Sequence, residues 1–430
     1  MSAPIRILTV ADSDSYVKWG AALLARAPAD WEKSLLVLAS PVLPSAVQLS
    51  AALVGSGHGF GPPSIVDLSA LAVRVAKLQP DVVMLSVRGP LVKVIIRAII
   101  GVMPRRPVIM TGLPGISVPA SSKAITHRMR ADLFVLHSRR EIREFAALAD
   151  SMGIRQRFAL ATLPFLPQKN PAQGQDGDVI FAAQAKVPWE KADRLALLSW
   201  LAESARRHPY RRVVVKVRAG RGEQQTHAER HDYAKLIAEL TQPAPSNLVV
   251  AGGAMADHLA GAAGLITISS TAAIEAIALD TPVLVVGDFG MSDELINTVF
   301  DGSGLFGNSG DVVEGRFKRP GLDWLDDNYF HAVEQDDWVS ELNQLLVLRE
   351  SGQFELKTQT YGMFGGVLRR AWDRKRALGR FDRSLTGLIA LAIGTPARLA
   401  LLLVRRMRGR FVRARTDSAE QRRVLASSRS

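Results

Sequence analysis

The segment Leu265 to Asp288, LITISSTAAIEAIALDTPVLVVGD, constrains this chain more than any other. It reads as an apolar strand (Leu265 to Ile268), three hydroxyl side chains (Ser269, Ser270, Thr271), a helix rich in alanine and isoleucine, a stop at Pro282 and a second apolar strand. That order is a β-α-β unit, which belongs in a parallel sheet. The hydroxyls fall where the first strand ends and the helix begins, so free backbone N–H groups and the positive end of the helix dipole share their space. Such a place binds phosphate, and it is equally a place where Ser269 or Ser270 simply caps the helix. Glu275 is not explained by capping, because a capping-box acid behind a Ser270 cap would stand three residues on, at Ala273. In the second turn, near the same mouth, its carboxylate suits a ribose or a base.

The N-terminal half repeats the alternation of apolar runs with amphipathic segments that marks a parallel sheet covered by helices. Expected strands are Ile5 to Val10, Ser34 to Ala39, Ser64 to Leu68, Asp81 to Ser86, Pro107 to Thr111 and Asp132 to Leu136, with helices between most of them. Ligands of open α/β sheets sit beyond the carboxyl ends of the strands, so the loops that follow strands carry the candidates. These are Asp12 and Asp14 after the first strand, Gly112 and Gly115 after the fifth, Ser138 after the sixth, and His58 in the GSGHGFG run. Asp12 or Asp14 has the chemistry of a general base, and each is also an ordinary turn or cap residue. No GxGxxG or Walker A loop follows any strand.

Asn170 to Asp178, NPAQGQDGD, has no apolar period and reads as a linker. The expected organisation is therefore a domain over residues 1–169, a linker over 170–178, a second domain over 179–350 and a tail over 361–430. Four hundred and thirty residues suit two α/β cores. The second domain opens with strand Val179 to Ala183 and a loop holding Gln184 and Lys186, then helix Lys191 to Arg207 and strand Arg212 to Val217. Lys216 and Arg218 alternate with valines at the end of that strand, so they share a face at its carboxyl edge and offer a second anion contact. A helix over Ala228 to Leu240 and strand Asn247 to Ala251 follow. Gly302 to Asp327 reads as loop, and Asp337 to Glu350 as an amphipathic helix closing the second domain.

The tail from Tyr361 holds 17 Lys and Arg against 4 Asp and Glu, an excess equal to the whole net charge of +13. The body is thus neutral, and nucleic acid is not an expected partner. Ser384 to Val404 is apolar, but Pro396 divides it and Arg398 would cost ~3 kcal/mol at the centre of a span. Leu403, Val404, Met407 and Phe411 occupy one helical sector with arginines opposite, the pattern of a helix lying on an anionic membrane surface. With no cysteines and no cleavable apolar leader, the chain is expected in the cytoplasm, peripheral at the inner face of the cell membrane.

Two α/β domains, a linker, and a second domain ending in SSTAAIEAIALDTPVLVVG resemble the GT-B glycosyltransferases of bacterial surface polysaccharides, above all capsule-type sialyl- and Kdo-transferases and an actinobacterial glycosyltransferase group. The resemblance implies an α/β fold of two Rossmann-like domains (GT-B architecture) with a basic helical C-terminal tail. It implies that Ser269 and Ser270 hold the phosphate of a CMP-activated sugar acid. The donor site would add Gln184, Lys186, Lys216, Arg218, Thr271 and Glu275, and the base would be Asp14 or, second, Asp12. His58, Gly112, Gly115 and Ser138 would line the acceptor side. The implied reaction is inverting transfer from a nucleotide-sugar donor to a glycan or lipid-linked acceptor, with fixed cations in place of a metal and no cofactor. This chain departs from those relatives at two motifs: their His-Pro doublet is replaced by Val217-Arg218, and their acidic pair before glycine by Asp12-Ser13-Asp14. A nucleotide-sugar epimerase on the same fold, or a membrane-recruited binding protein without catalysis, are the alternatives.

Overall fold

A computed structural model describes residues 3–57, 59, 62–164, 166–167, 177–217, 230–354 and 366–396. Its first sheet contains β1 (Arg6–Ala11), β2 (Glu32–Leu38), β3 (Ser64–Val66), β4 (Val82–Ser86), β5 (Val108–Gly112), β6 (Leu133–Leu136) and β7 (Phe158–Leu160). All pair in parallel, in the order β3-β2-β1-β4-β5-β6-β7. The second contains β8 (Val179–Ala182), β9 (Val213–Lys216), β10 (Leu248–Ala251), β11 (Gly264–Thr267), β12 (Val283–Val286) and β13 (Phe306–Gly307), parallel in the order β10-β9-β8-β11-β12-β13.

Both sheets are covered on both faces, which is why their strands are apolar almost throughout. In β1, Ile7 and Ala11 enter one cluster while Leu8 and Val10 enter the other. In β8, Val179 and Phe181 face one layer, Ile180 and Ala182 the other. In each sheet the chain reverses direction beside its first strand, so the crevices lie between β1 and β4 and between β8 and β11.

Three expectations are corrected. The helix Trp338–Glu350 does not close the second domain: Trp338, Leu342, Leu345 and Leu346 complete the core under the first sheet. Those residues form one helical stripe, and the exposed apolar face lay on the other domain. Arg349 secures the crossing by donating to the Arg106 carbonyl (2.8 Å) and Asp81 (3.1 Å). The span Gly302 to Asp327 is not loop, for it holds β13 and the helices Ser309–Glu314 and Leu322–Asp327. The helix expected over Ala228 to Leu240 is one turn, Tyr233–Leu236, with a 3-10 turn after it, while its beginning lies outside the described residues. So do most of the linker and the tail beyond residue 396, including the sector of Leu403, Val404, Met407 and Phe411. Among the described residues no helix is long and apolar enough to cross a membrane.

Candidate functional site

The carboxyl ends of β8 and β11 open onto a cavity of about 440 Å³ whose walls include Gln184, Lys186, Lys216, Ser269, Ser270, Thr271, Glu275 and, from the first domain, Ile116. The β-α-β unit is thus at the crevice of its sheet, where the strand order reverses. Gln184 links the two strand ends: its Oε1 accepts from the Ser269 N–H at 3.0 Å, and its Nε2 donates to Ser269 Oγ at 3.0 Å. The first bond fixes which way the amide points. Ser269 is accordingly positioned and nearly buried.

Ser270 is the cap, although not in the position expected. The helix begins at Ala272 after Thr271, which already has helical angles and makes no side-chain cap bond. Ser270 Oγ accepts from the Ala272 N–H at 3.2 Å, and its own N–H donates to Thr267 Oγ1 at 3.0 Å. Thr271 is exposed at the mouth.

Lys216 ends β9 almost buried, its ammonium donating to the Val217 carbonyl at 2.7 Å. Burial pushes the Glu275 carboxyl upward, and the charges of Lys18 and Lys216 partly restore it. Lys18 belongs to the first-domain helix Asp14–Ala25, so the charge of a first-domain cation acts on the acid in this cavity's wall. Sequence reasoning passed over it. The available signal was its position one turn after Asp14, on the same helical face.

A second residue that reading missed is Arg194. Wholly buried, it donates to the carbonyls of Gln184 (3.0 Å), Ala185 (2.8 Å), Pro188 (2.8 Å) and His231 (2.6 Å) and lies over the Tyr233 ring. The loop holding Gln184 and Lys186 is shaped by this guanidinium. An arginine within the apolar stripe of helix Lys191–Arg207 was the clue.

On the first domain the candidates separate. Asp12 is buried and held by Arg88, whose N–H reaches Oδ1 at 3.0 Å and whose Nε reaches Oδ2 at 2.7 Å. It fastens the β1–β4 crevice and is closed off from solvent. Asp14 stands exposed at the start of its helix. Gly112 is buried against Trp19, where an added Cβ would come within 2.3 Å of the indole, so its smallness serves packing. Gly115 does face the cleft, 3.5 Å from the Thr271 methyl when given a Cβ. Ser138 is buried and caps the helix Arg139–Ser151 through the Glu141 N–H (3.0 Å), which removes it from the acceptor side. His58 and Arg218 lie outside the described residues.

The two domains are locked next to this wall. Glu141 accepts from Ser117 N–H (2.8 Å), His137 N–H (2.9 Å) and the Tyr329 hydroxyl (2.6 Å), the last from the far side of the cleft. Complete burial pushes its carboxyl up to about 7 in spite of those bonds. Neighbouring His137 is pushed down to about 4 by burial and is neutral, accepting from Trp19 Nε1 at 2.6 Å. Arg143 forks onto Asp327 at 2.6 and 2.7 Å, and Arg140 donates to the Thr298 carbonyl at 3.1 Å.

The family model described as "Putative glycosyltransferase (DUF6716)" matches residues 7–345. Comparison with curated proteins finds no match. Among solved structures, a "putative UDP-N-acetylglucosamine 2-epimerase" from Listeria monocytogenes is similar with a TM-score of 0.53 and 11% identity, over 83% of this chain and 99% of that one. The S. aureus MnaA–UDP structure has a TM-score of 0.49 and 12% identity, over 83% and 100%. Anabaena HepE in complex with UDP-glucose has 0.46 and 14%, over 81% and 100%. At such identities the first likeness shows the fold, two facing Rossmann-like domains of GT-B type.

Proposed function

Since the chain belongs to the DUF6716 glycosyltransferase family, we propose that the cavity between β8 and β11 holds the nucleotide phosphate of an activated sugar. The observation that carries this reading is the convergence of Lys186, Lys216 and the Ser269–Thr271 hydroxyls on one cavity at the crevice of a parallel sheet. The acceptor hydroxyl attacks the anomeric carbon and yields its proton to Asp14. The bond from that carbon to the phosphate breaks, and the electron pair leaves with the phosphate. Lys216, with Lys186 and Arg218, stabilises the charge that develops there, the term that usually contributes most. Glu275 holds the ribose. Attack from the face opposite the leaving group inverts the anomeric centre, and the fixed cations replace a metal.

Asp14 is preferred to Asp12 because it is exposed and, among the described residues, pairs with no arginine, and because it shares a helical face with Lys18, whose charge acts on Glu275 in the cavity wall. The Ser269–Ser270 pair supports a CMP-activated sialic or other ulosonic acid as donor, by its resemblance to the capsule-type transferases. The acceptor is a cell-envelope glycan or lipid-linked glycan met at the cytoplasmic face of the membrane.

Incubating the purified protein with CMP-sialic acid, CMP-Kdo and UDP-sugars tests the reading. Transfer, or slow hydrolysis of a CMP-sugar without acceptor, is expected, unchanged by a metal chelator. Turnover of UDP-sugars alone would exclude the CMP donor. Isomerisation of a UDP-sugar would make the protein an epimerase, and silence with every donor a binding protein.

A further inference from the structure

The described end of the chain forms a helical hairpin on the first domain, away from the donor cavity. Its first arm, Val367–Leu378, buries Ala377 and Leu378 in the first-domain core and pairs buried Asp373 with Lys93 at 2.7 Å and Arg369 at 3.4 Å. Its second arm, residues 385–396, rests on the first through Ala390, packed with Ala371 and Trp372. It also rests through Gly394, where an added Cβ would meet the Trp372 ring at 2.5 Å. Between the arms Asp382 accepts from Arg374 Nε at 3.0 Å and from Ser384 Oγ at 2.7 Å. The hairpin is therefore a built element.

Its outward face is unlike the rest of the surface. Leu385, Leu388, Ile389 and Ile393 are 76%, 50%, 53% and 56% exposed, and their spacing puts them on one side of the second arm. Val367 and Leu368 of the first arm are exposed as well. Residues 366–396 contain seven Lys and Arg and two acids, and both acids are taken up in ion pairs, Asp373 with Lys93 and Arg369 and Asp382 with Arg374. Arg376, Arg380 and Arg383 are exposed. A contiguous apolar face rimmed by cations marks an interaction site.

We propose that this hairpin docks on an anionic lipid bilayer, with the apolar face of residues 385–396 entering the boundary between headgroups and acyl chains and the arginines meeting lipid phosphates. Charge complementarity selects this occupant, since a second copy of the chain would set one cationic rim against another. The hairpin stands on the first domain, so docking holds that domain, the proposed acceptor side, against the bilayer. The acceptor is then lipid-borne, a step that rests on the proposed transfer reaction, whereas docking does not.

Flotation of the full chain with vesicles of phosphatidylglycerol and phosphatidylcholine, against phosphatidylcholine alone, is the test. Binding to the anionic vesicles is expected to be at least tenfold stronger. The variant L388Q/I389Q/I393Q, altered only at exposed positions, is expected to lose more than tenfold with its thermal midpoint unchanged. R380Q/R383Q is expected to lose about fivefold per arginine. Wild-type-like flotation of the triple variant would assign binding to residues 397–430 and overturn the proposal. So would equal binding to both vesicles, or a lipid-free dimer that the triple variant dissociates. A protein that floats as expected yet transfers no sugar supports docking and overturns the transfer reading together with its lipid-borne acceptor.

Discussion

Tyr329→Phe removes a single hydroxyl, and the surroundings of that hydroxyl set the cost. It donates to Glu141 across the domain interface at 2.6 Å, with both residues fully buried. Glu141 has its carboxyl raised from 4.5 to about 7, chiefly by burial. Above pH 4.5 the unfolded chain has released this proton while the folded chain retains it until about pH 7. Stability from this group therefore falls as pH rises through that window, by about 3 kcal/mol in total, and is level beyond it. In the variant, the bond lost below pH 7 is one to a neutral acid, worth about 1 kcal/mol. Above pH 7 it is one to a carboxylate, worth about 2–3 kcal/mol. The destabilisation should thus be larger at pH 8.5 than at pH 5.5 by about 1–2 kcal/mol, because the variant's Glu141 is pushed higher still. Urea unfolding of both proteins at the two pH values measures the difference. Glu141 also holds the Ser117 N–H beside the cleft, so donor affinity should weaken in parallel at the higher pH. Equal losses at both pH values would refute the coupling of this proton to Tyr329, and no loss at either would refute the interdomain bond itself.

Lys216→Gln is expected to weaken donor binding about tenfold and to lower kcat by a larger factor, since charge grows on the leaving phosphate; calorimetric titration showing an unchanged Kd would remove Lys216 from the phosphate site. Asp14→Asn should lower kcat by about 10²–10⁴-fold at unchanged stability. Asp12→Asn should instead cost about 2–3 kcal/mol of stability by unpairing Arg88, a discounted figure because that arginine is partly exposed. The opposite pattern in paired melts and kinetics would transfer the base to Asp12. Arg194→Lys cannot reproduce a fork that reaches four carbonyls, so a loss of about 3 kcal/mol and a raised donor KM are expected. A melt unchanged from wild type would show that the loop from Gln184 to Pro188 holds its shape without it.

The strands were legible because each carries its own evidence: a strand covered on both faces is apolar at nearly every position, as in VVMLS of β4 and VLVV of β12. The two that escaped, β7 and β13, are three and two residues long, too short to establish a pattern. The helix Trp338–Glu350 announced its apolar stripe but not its destination, because a stripe records that something is covered and not what. The same limit governed the aspartates. Asp12 and Asp14 are equivalent in sequence, two acids flanking a serine, and the arginine that takes Asp12 out of use lies 76 residues away.

By itself the sequence determined two parallel α/β units and the hydroxyl-bearing turn Ser269-Ser270-Thr271 at the end of a strand, since apolar period and strand-to-helix junctions are local properties of the chain. It also determined that the net charge resides in the tail. The tertiary structure alone decided that Gln184 meets Ser269, that the Lys18 charge acts on Glu275 from the other domain, that Arg194 shapes the loop of Gln184, and that Ser138 and Gly112 are interior. It decided as well that the chain recrosses to the first domain after residue 337. Gln184 and Ser269, Lys18 and Glu275, Gly112 and Trp19, and Trp338 and the first sheet lie tens to hundreds of residues apart, and they come together only when sheet order and domain packing have closed the loops between them.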